Sequence, residues 1–199
     1  MQMNTQREQL IQTWLQAVLQ SDQFEVSFLA GDASFRRYAR IKLNNKSYML
    51  MDAPPEKEDC APFVSIDEFF DQHGVRVPHI VAKDLGLGFL LLEDFGDVVL
   101  STLLNDETVD QYYAQSFKQL IELQQVDGRD HLPAYSYEKL MSEMRLLTDW
   151  MLPSLNIQAT EQQLETIEQA FDFLTMEALN QPQVIVHRDF HSRNLMQIE

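Results

Sequence analysis

The chain has 199 residues, 45% of them hydrophobic and 10% aromatic, which supplies apolar material for a core of one or two domains and excludes a disordered chain. A formal charge of −16 excludes a protein that grips nucleic-acid backbones, because that affinity comes from Lys and Arg neutralising phosphates. No stretch approaches the roughly 20 apolar residues of a membrane-spanning helix, no secretory leader is visible, and the lone Cys60 leaves no internal disulfide or cysteine zinc site, so a soluble cytoplasmic protein is expected.

Thr5 and Glu8 form a capping-box pattern, and Leu10, Ile11, Trp14, Leu15, Val18 and Leu19 then recur at helical spacing, so the first element is an amphipathic helix. The period next falls to two. Phe24, Val26 and Phe28 alternate before Gly31-Asp32, Phe35, Arg37, Ala39 and Ile41 alternate before Asn44-Asn45, and Tyr48 to Met51 add a third strand. Pro54-Pro55 breaks this antiparallel meander, Phe63, Ile66, Phe69 and Phe70 mark a helix ending at Gly74, and two further strands flank Gly86 and Gly88. Past Leu92 to Asp97 the pattern turns helical. Val109, Tyr112, Tyr113, Leu120 and Ile121 define a long helix capped from Asp106 and stopped near Gly128. A second runs from about Ser136 through Leu140, Leu147 and Met151; a third starts at a Thr160–Gln163 capping box and continues through Leu164, Ile167, Phe171 and Leu174. The apolar run Val184 to Val186 predicts a buried strand leading into the next segment, with Leu195 and Met196 anchoring that segment's far end.

That segment, His187 to Met196, carries His-Arg-Asp, four residues, then Asn, the spacing of a kinase catalytic loop. Phosphoryl transfer needs a carboxylate near the attacking hydroxyl and oxygen ligands for magnesium. Asp189 is the candidate base and Asn194 the candidate magnesium ligand, with a second ligand expected beyond residue 199. The plain alternative is a surface loop whose His, Asp and Asn make turns. Against it stands the order of elements, a β-rich part over residues 1–95, an acidic joint and a helical part over 96–199, which is that of a two-lobed kinase. His187 fits a histidine that shapes the loop rather than one that carries the proton. Arg193 either contacts an anionic group or is a solvated loop cation, and both readings stand.

Gly31 to Tyr38 lies between the first two strands, where a kinase folds a loop over the phosphates. It is not glycine-rich, so backbone amides and the Ser34 hydroxyl would do that work; an ordinary hairpin turn is the alternative. Arg36 and Arg37 alternate onto opposite faces, so at most one faces ATP. Glu93-Asp94 lies at the joint where a kinase backbone binds adenine, although Asp94 capping a turn and Asp97 solvating a linker explain these residues equally. Tyr137, Glu143, Arg145 and Trp150 offer aromatic and carboxylate groups to an acceptor, with core packing the alternative for Trp150.

Together these residues resemble the aminoglycoside phosphotransferase family of small-molecule kinases. Gly31 to Tyr38, Met51 to Asp59, Leu92 to Gly96 and His187 to Met196 look like its anomeric amino-sugar kinases of bacterial cell-wall recycling, across nearly the whole chain. The resemblance implies an α+β, bilobal protein-kinase-like fold with an antiparallel-sheet N-lobe over 1–95 and a truncated helical C-lobe over 96–199. It implies ATP and Mg2+ as cofactors, and transfer of the γ-phosphate to the anomeric hydroxyl of N-acetylmuramic acid or N-acetylglucosamine. By position it makes Asp189 the base with His187 beside it, Asn194 a metal ligand, Asp32, Ala33, Ser34 and Phe35 the phosphate-facing loop, and Glu93, Asp94 and Phe95 the adenine-binding joint; Arg193 and Glu143 are the candidate substrate contacts. The strand Tyr48-Met49-Leu50-Met51-Asp52 lacks the Lys that pairs with the α/β-phosphates, a role open to Lys57, Arg37 or Lys42. Glu68 is either the orienting partner of such a cation or, more plainly, a solvated glutamate. A kinase for another small acceptor, an aminoglycoside or amino alcohol, and a catalytically incomplete nucleotide-binding module remain the alternatives.

Overall fold

Helix α1 (Gln2–Leu19) already runs through Thr5, so the expected cap there lies inside the helix; Gln and Met ahead of it are good helix formers and extend it toward the N-terminus. The computed structural model describes residues 2–30 and 35–198, with side chains from residue 6 onward. Strands β1 (Glu25–Phe28), β2 (Arg37–Leu43) and β3 (Lys46–Asp52) form the expected meander, followed by helix α2 (Ala61–Gln72) and strands β4 (Ile80–Asp84) and β5 (Phe89–Glu93). The sheet order is β1-β2-β3-β5-β4, every neighbouring pair antiparallel.

The period of two on β3 and β5 explains why both are apolar almost throughout: each is covered on both sides. Leu50, Phe89 and Leu91 face α1, where Ile11 and Leu15 close a cluster with Ala39 and Ile41. Met51, Leu90 and Leu92 face α2 and pack with Ala53, Cys60 and Val64, flanked by Tyr38, Met49, Phe63 and Ile80. Gly88 is required by this closeness, since a Cβ there would lie 1.9 Å from the Ala53 carbonyl oxygen and φ is +70°.

Helix α2 also buries a carboxyl. Asp67 is only 6% exposed, and burial, reinforced by Asp71 and Glu68, pushes its pKa up to about 6 against a weaker pull from His79. A carboxyl raised on folding stabilises most below its unfolded pKa, and that contribution is lost as pH climbs through about 6. The stability of Asp67→Asn relative to wild type is therefore expected to rise by about 2–3 kcal/mol between pH 4 and 6.5, read from urea melts across that range. A flat difference would sink the assignment.

The helical part follows its caps. Helix α3 (Val109–Gln125) is preceded by Asn105, whose side chain accepts the N–H groups of Glu107 and Thr108 at 2.9 and 3.0 Å, so Asn105 and not Asp106 makes the turn. Helix α4 (Tyr137–Met144) starts where expected, with Ser136 as its N-cap, but does not run on to Met151. A π-helical turn, Leu147–Met151, and the short α5 (Leu152–Ser154) replace its continuation, because Pro153 has no N–H for the carbonyl of Asp149 and its ring crowds that turn. Helix α6 (Glu161–Leu179) opens on the Thr160–Gln163 capping box with both reciprocal bonds made.

The predicted strand at Val184 to Val186 is absent: Ile185 is buried, its neighbours are exposed, and no strand partner lies alongside among the described residues. Residues Met1–Glu122 with His187–Glu199 form one compact unit and Leu123–Val186 a second. No helix of the described residues is long and apolar enough to cross a membrane.

Candidate active site

The loop after Val186 is organised around the Asp189 carboxylate. Asn194 Nδ2 donates to its Oδ2 at 2.5 Å and to the Asp189 carbonyl at 3.2 Å. His191 Nδ1 accepts the Arg193 N–H at 3.2 Å, which leaves its proton on Nε2, 3.1 Å from Asp189 Oδ1. Each carboxylate oxygen thus has its own donor, which fixes the side chain while it remains 70% exposed. His187 stays close: the Asp189 N–H faces its Nδ1 at 3.4 Å and its ring meets Phe190 edge-on at 5.5 Å. Arg188, between them, holds φ at +74°, a left-handed conformation of the kind that concentrates at functional loops. The Arg193 side chain is exposed.

The far end of the loop is stitched to the segment after the joint. Leu100 N–H donates to the Leu195 carbonyl at 2.8 Å, Ser101 N–H to that of Ser192 at 2.9 Å, and Gln197 N–H to that of Val98 at 2.9 Å, around an antiparallel bridge between Val99 and Met196. Leu100, 4% exposed, anchors this seam.

At the joint every acidic side chain is occupied. Arg40 on β2 grips Asp94 through Nε and Nη2 at 2.6 and 3.1 Å, and Asp97 through Nη1 and Nη2 at 2.8 Å each. Ser47 also donates to Asp94, and the Gly96 N–H caps it at 3.0 Å. Burial alone would raise the Asp94 carboxyl; these donors more than offset it and hold it below the usual range. Arg76 makes the matching fork on Glu93 at 2.8 and 2.5 Å and lies 4.6 Å over the Phe95 ring. Neither arginine was expected at the joint, because the partners lie 54 and 17 positions apart and only the folded register brings them together.

Asp32, Ala33 and Ser34 lie outside the described residues. Phe35 is 63% exposed with Lys57 Nζ 5.2 Å from its ring centroid. Glu68 pairs with Lys83 on β4. In the second unit Glu143 pairs with Lys139 at 2.9 Å, Tyr137 donates to Asp172, and Trp150 is 72% exposed, so core packing does not account for that tryptophan.

A family model described as "Phosphotransferase enzyme family" matches residues 25–197. The chain belongs to that family. Two relatives named "N-acetylmuramate/N-acetylglucosamine kinase" match this chain. That of Pseudomonas aeruginosa is 41% identical over 168 residues, covering 84% of this chain and 50% of the relative. That of Neisseria meningitidis serogroup B is 36% identical over 197 residues, covering 96% and 58%. The chain therefore spans about half the length of the curated relatives it matches. Among solved structures, a thermostable mutant of the aminoglycoside phosphotransferase APH(4)-Ia, in ternary complex with AMP-PNP and hygromycin B, superposes with TM-score 0.61 at 13% identity, over 94% of this chain and 66% of that one. The likeness shows an α+β, protein-kinase-like fold in this chain.

Proposed function

We propose that this phosphotransferase is an ATP-dependent sugar kinase that phosphorylates the anomeric hydroxyl of N-acetylmuramic acid or N-acetylglucosamine, in the cytoplasm, with residues 1–95 as its nucleotide-side lobe and 96–199 as part of its helical lobe. The observation that carries the reading is the oriented Asp189 carboxylate, in a chain 36–41% identical to relatives bearing that substrate in their names. In this reading Asp189 accepts the proton of the sugar hydroxyl, His187 keeps the loop in shape, and the backbone of Glu93 to Phe95 receives adenine while Arg40 and Arg76 hold its side chains aside.

Magnesium fits the donor set. Asn194 turns its nitrogen to Asp189, which leaves the amide oxygen as a hard ligand beside that carboxylate. Among the described residues no group of three His, Cys, Asp or Glu could hold a metal alone, and magnesium normally takes one or two side chains plus substrate phosphates. Bound there, it would neutralise charge on the transferring phosphate.

Incubating the full-length gene product with ATP, magnesium and a panel of N-acetylmuramic acid, N-acetylglucosamine, an aminoglycoside and choline tests the reading by product mass. A sugar 1-phosphate is expected; phosphate on another acceptor alone removes the sugar, and no product at all removes the kinase. A second expectation concerns the joint. Arg40→Met strips the counter-charge from a carboxylate whose side chain is only 4% exposed, leaving it Ser47 and the Gly96 N–H, so it is expected to cost about 3 kcal/mol in a denaturant melt. Adenosine should then bind about ten-fold more weakly, and unchanged adenosine affinity would separate Arg40 from the nucleotide.

A further inference from the structure

Kinases set a cation against the α/β-phosphates from the strand that β3 matches, and pair it with a carboxylate near the next helix. On β3 the α2-facing positions are Ser47, Met49 and Met51, none of them basic, while Lys46 at the start of the strand shares the α1 side with Tyr48 and Leu50. The basic residues nearby divide by face and by end of the sheet. Arg37 is turned to the α1 side, where it joins Arg7 on the buried Asp52 and lies 5.1 Å from the Phe28 ring. Lys42 pairs across from Ser47, next to the turn and at the end of β3 where Tyr48 meets Glu93, which is the adenine end. Lys83 is taken by Glu68 on the edge strand, and Lys57 is exposed over Phe35.

Arg36 differs from all of these. It stands two residues ahead of Tyr38 and on the same side of the sheet, and the strand partner of Tyr38 is Met51. Its Nε donates to Glu58 Oε1 at 2.6 Å, just ahead of α2, and its guanidinium stands 5.8 Å from the centroid of Phe63 in the α2-facing cluster. The two side chains are 28% and 25% exposed, shielded enough to hold one geometry and open enough to meet a ligand. We infer that Arg36, oriented by Glu58, is the cation that binds the ATP phosphates in place of the missing strand lysine. The step rests on the ATP-dependent reading above. A guanidinium suits it: always charged, planar, and matched to two phosphate oxygens at once. It reaches the position from the loop side rather than from β3, which is why β3 can be apolar there.

Calorimetric titration of the wild-type chain and its variants with MgATP, MgADP and adenosine tests this. Arg36→Met is expected to weaken MgATP and MgADP by roughly 10- to 100-fold, the size of a charge-assisted contact, and to leave adenosine within about two-fold, which also reports that the fold is intact. Arg36→Lys should recover part of the loss by restoring charge without the fork, and Glu58→Gln should weaken MgATP less than Arg36→Met does. Lys57→Met should behave as wild type. MgATP affinity unchanged in Arg36→Met, or the same loss appearing in Lys57→Met instead, overturns the inference while leaving the kinase reading intact. A wild-type chain that binds no adenine nucleotide overturns both.

Discussion

Asp189→Asn is expected to lower kcat by roughly 10²- to 10⁴-fold while MgATP affinity stays within about three-fold, because the general-base role proposed for Asp189 has that size and would act on the acceptor, not the nucleotide. The substitution keeps the volume of the side chain and removes its charge and its capacity to take a proton. It also has a local cost. Both carboxylate oxygens receive donors, Asn194 Nδ2 on one and His191 Nε2 on the other, so the new amide nitrogen must confront one of them. Steady-state rates together with nucleotide titration separate the outcomes. A variant that retains most of its kcat removes Asp189 from the chemistry, and parallel loss of nucleotide binding would make its role structural.

The largest effect on stability is expected at Asp52. Its side chain is fully buried between Arg7, 2.7 Å away on α1, and Arg37 on β2, with Arg7 also donating to the Leu87 carbonyl at 2.6 Å and lying 4.2 Å over Phe89. Asp52→Ala leaves two shielded guanidinium groups facing one another with no carboxylate between them. Removing one partner of a buried ion network typically costs about 3–5 kcal/mol, and at this chain length that is a fall of about 10 °C in Tm. Arg37→Met should cost less, since Arg7 still neutralises Asp52. Calorimetry or circular dichroism of the two variants checks both; a loss below about 1 kcal/mol for Asp52→Ala would show that the network contributes little.

Periodicity made the meander, both flanking helices, the start of α4 near Ser136 and the Thr160–Gln163 cap legible, because each depends on residues a few positions apart. Where local rules competed, the reading failed. Asn105 outbid Asp106 for the same turn, Pro153 broke a pattern that Leu147 and Met151 extend by spacing, and Val184 to Val186 had strand composition but no strand partner among the described residues. Of the site, the spacing of Asp189 and Asn194 was visible, while His191 as a second donor was not. The arginines were the hardest. Arg7, Arg36, Arg40 and Arg76 find their carboxylates between 17 and 57 positions away, and charge alone gives no register; in so acidic a chain the scarcity of cations was the available signal.

The seam between Val98–Ser101 and Ser192–Gln197 has an evolutionary consequence. Because Leu100 and Ser101 bond directly to Leu195 and Ser192, the base loop is tied to the joint by backbone contacts that owe nothing to Leu123–Val186, which the chain traverses as a separate compact unit before returning. That middle stretch is in effect a cassette. Its helices can lengthen, shorten or be exchanged while the backbone seam that holds the Asp189 loop against the joint is inherited unchanged.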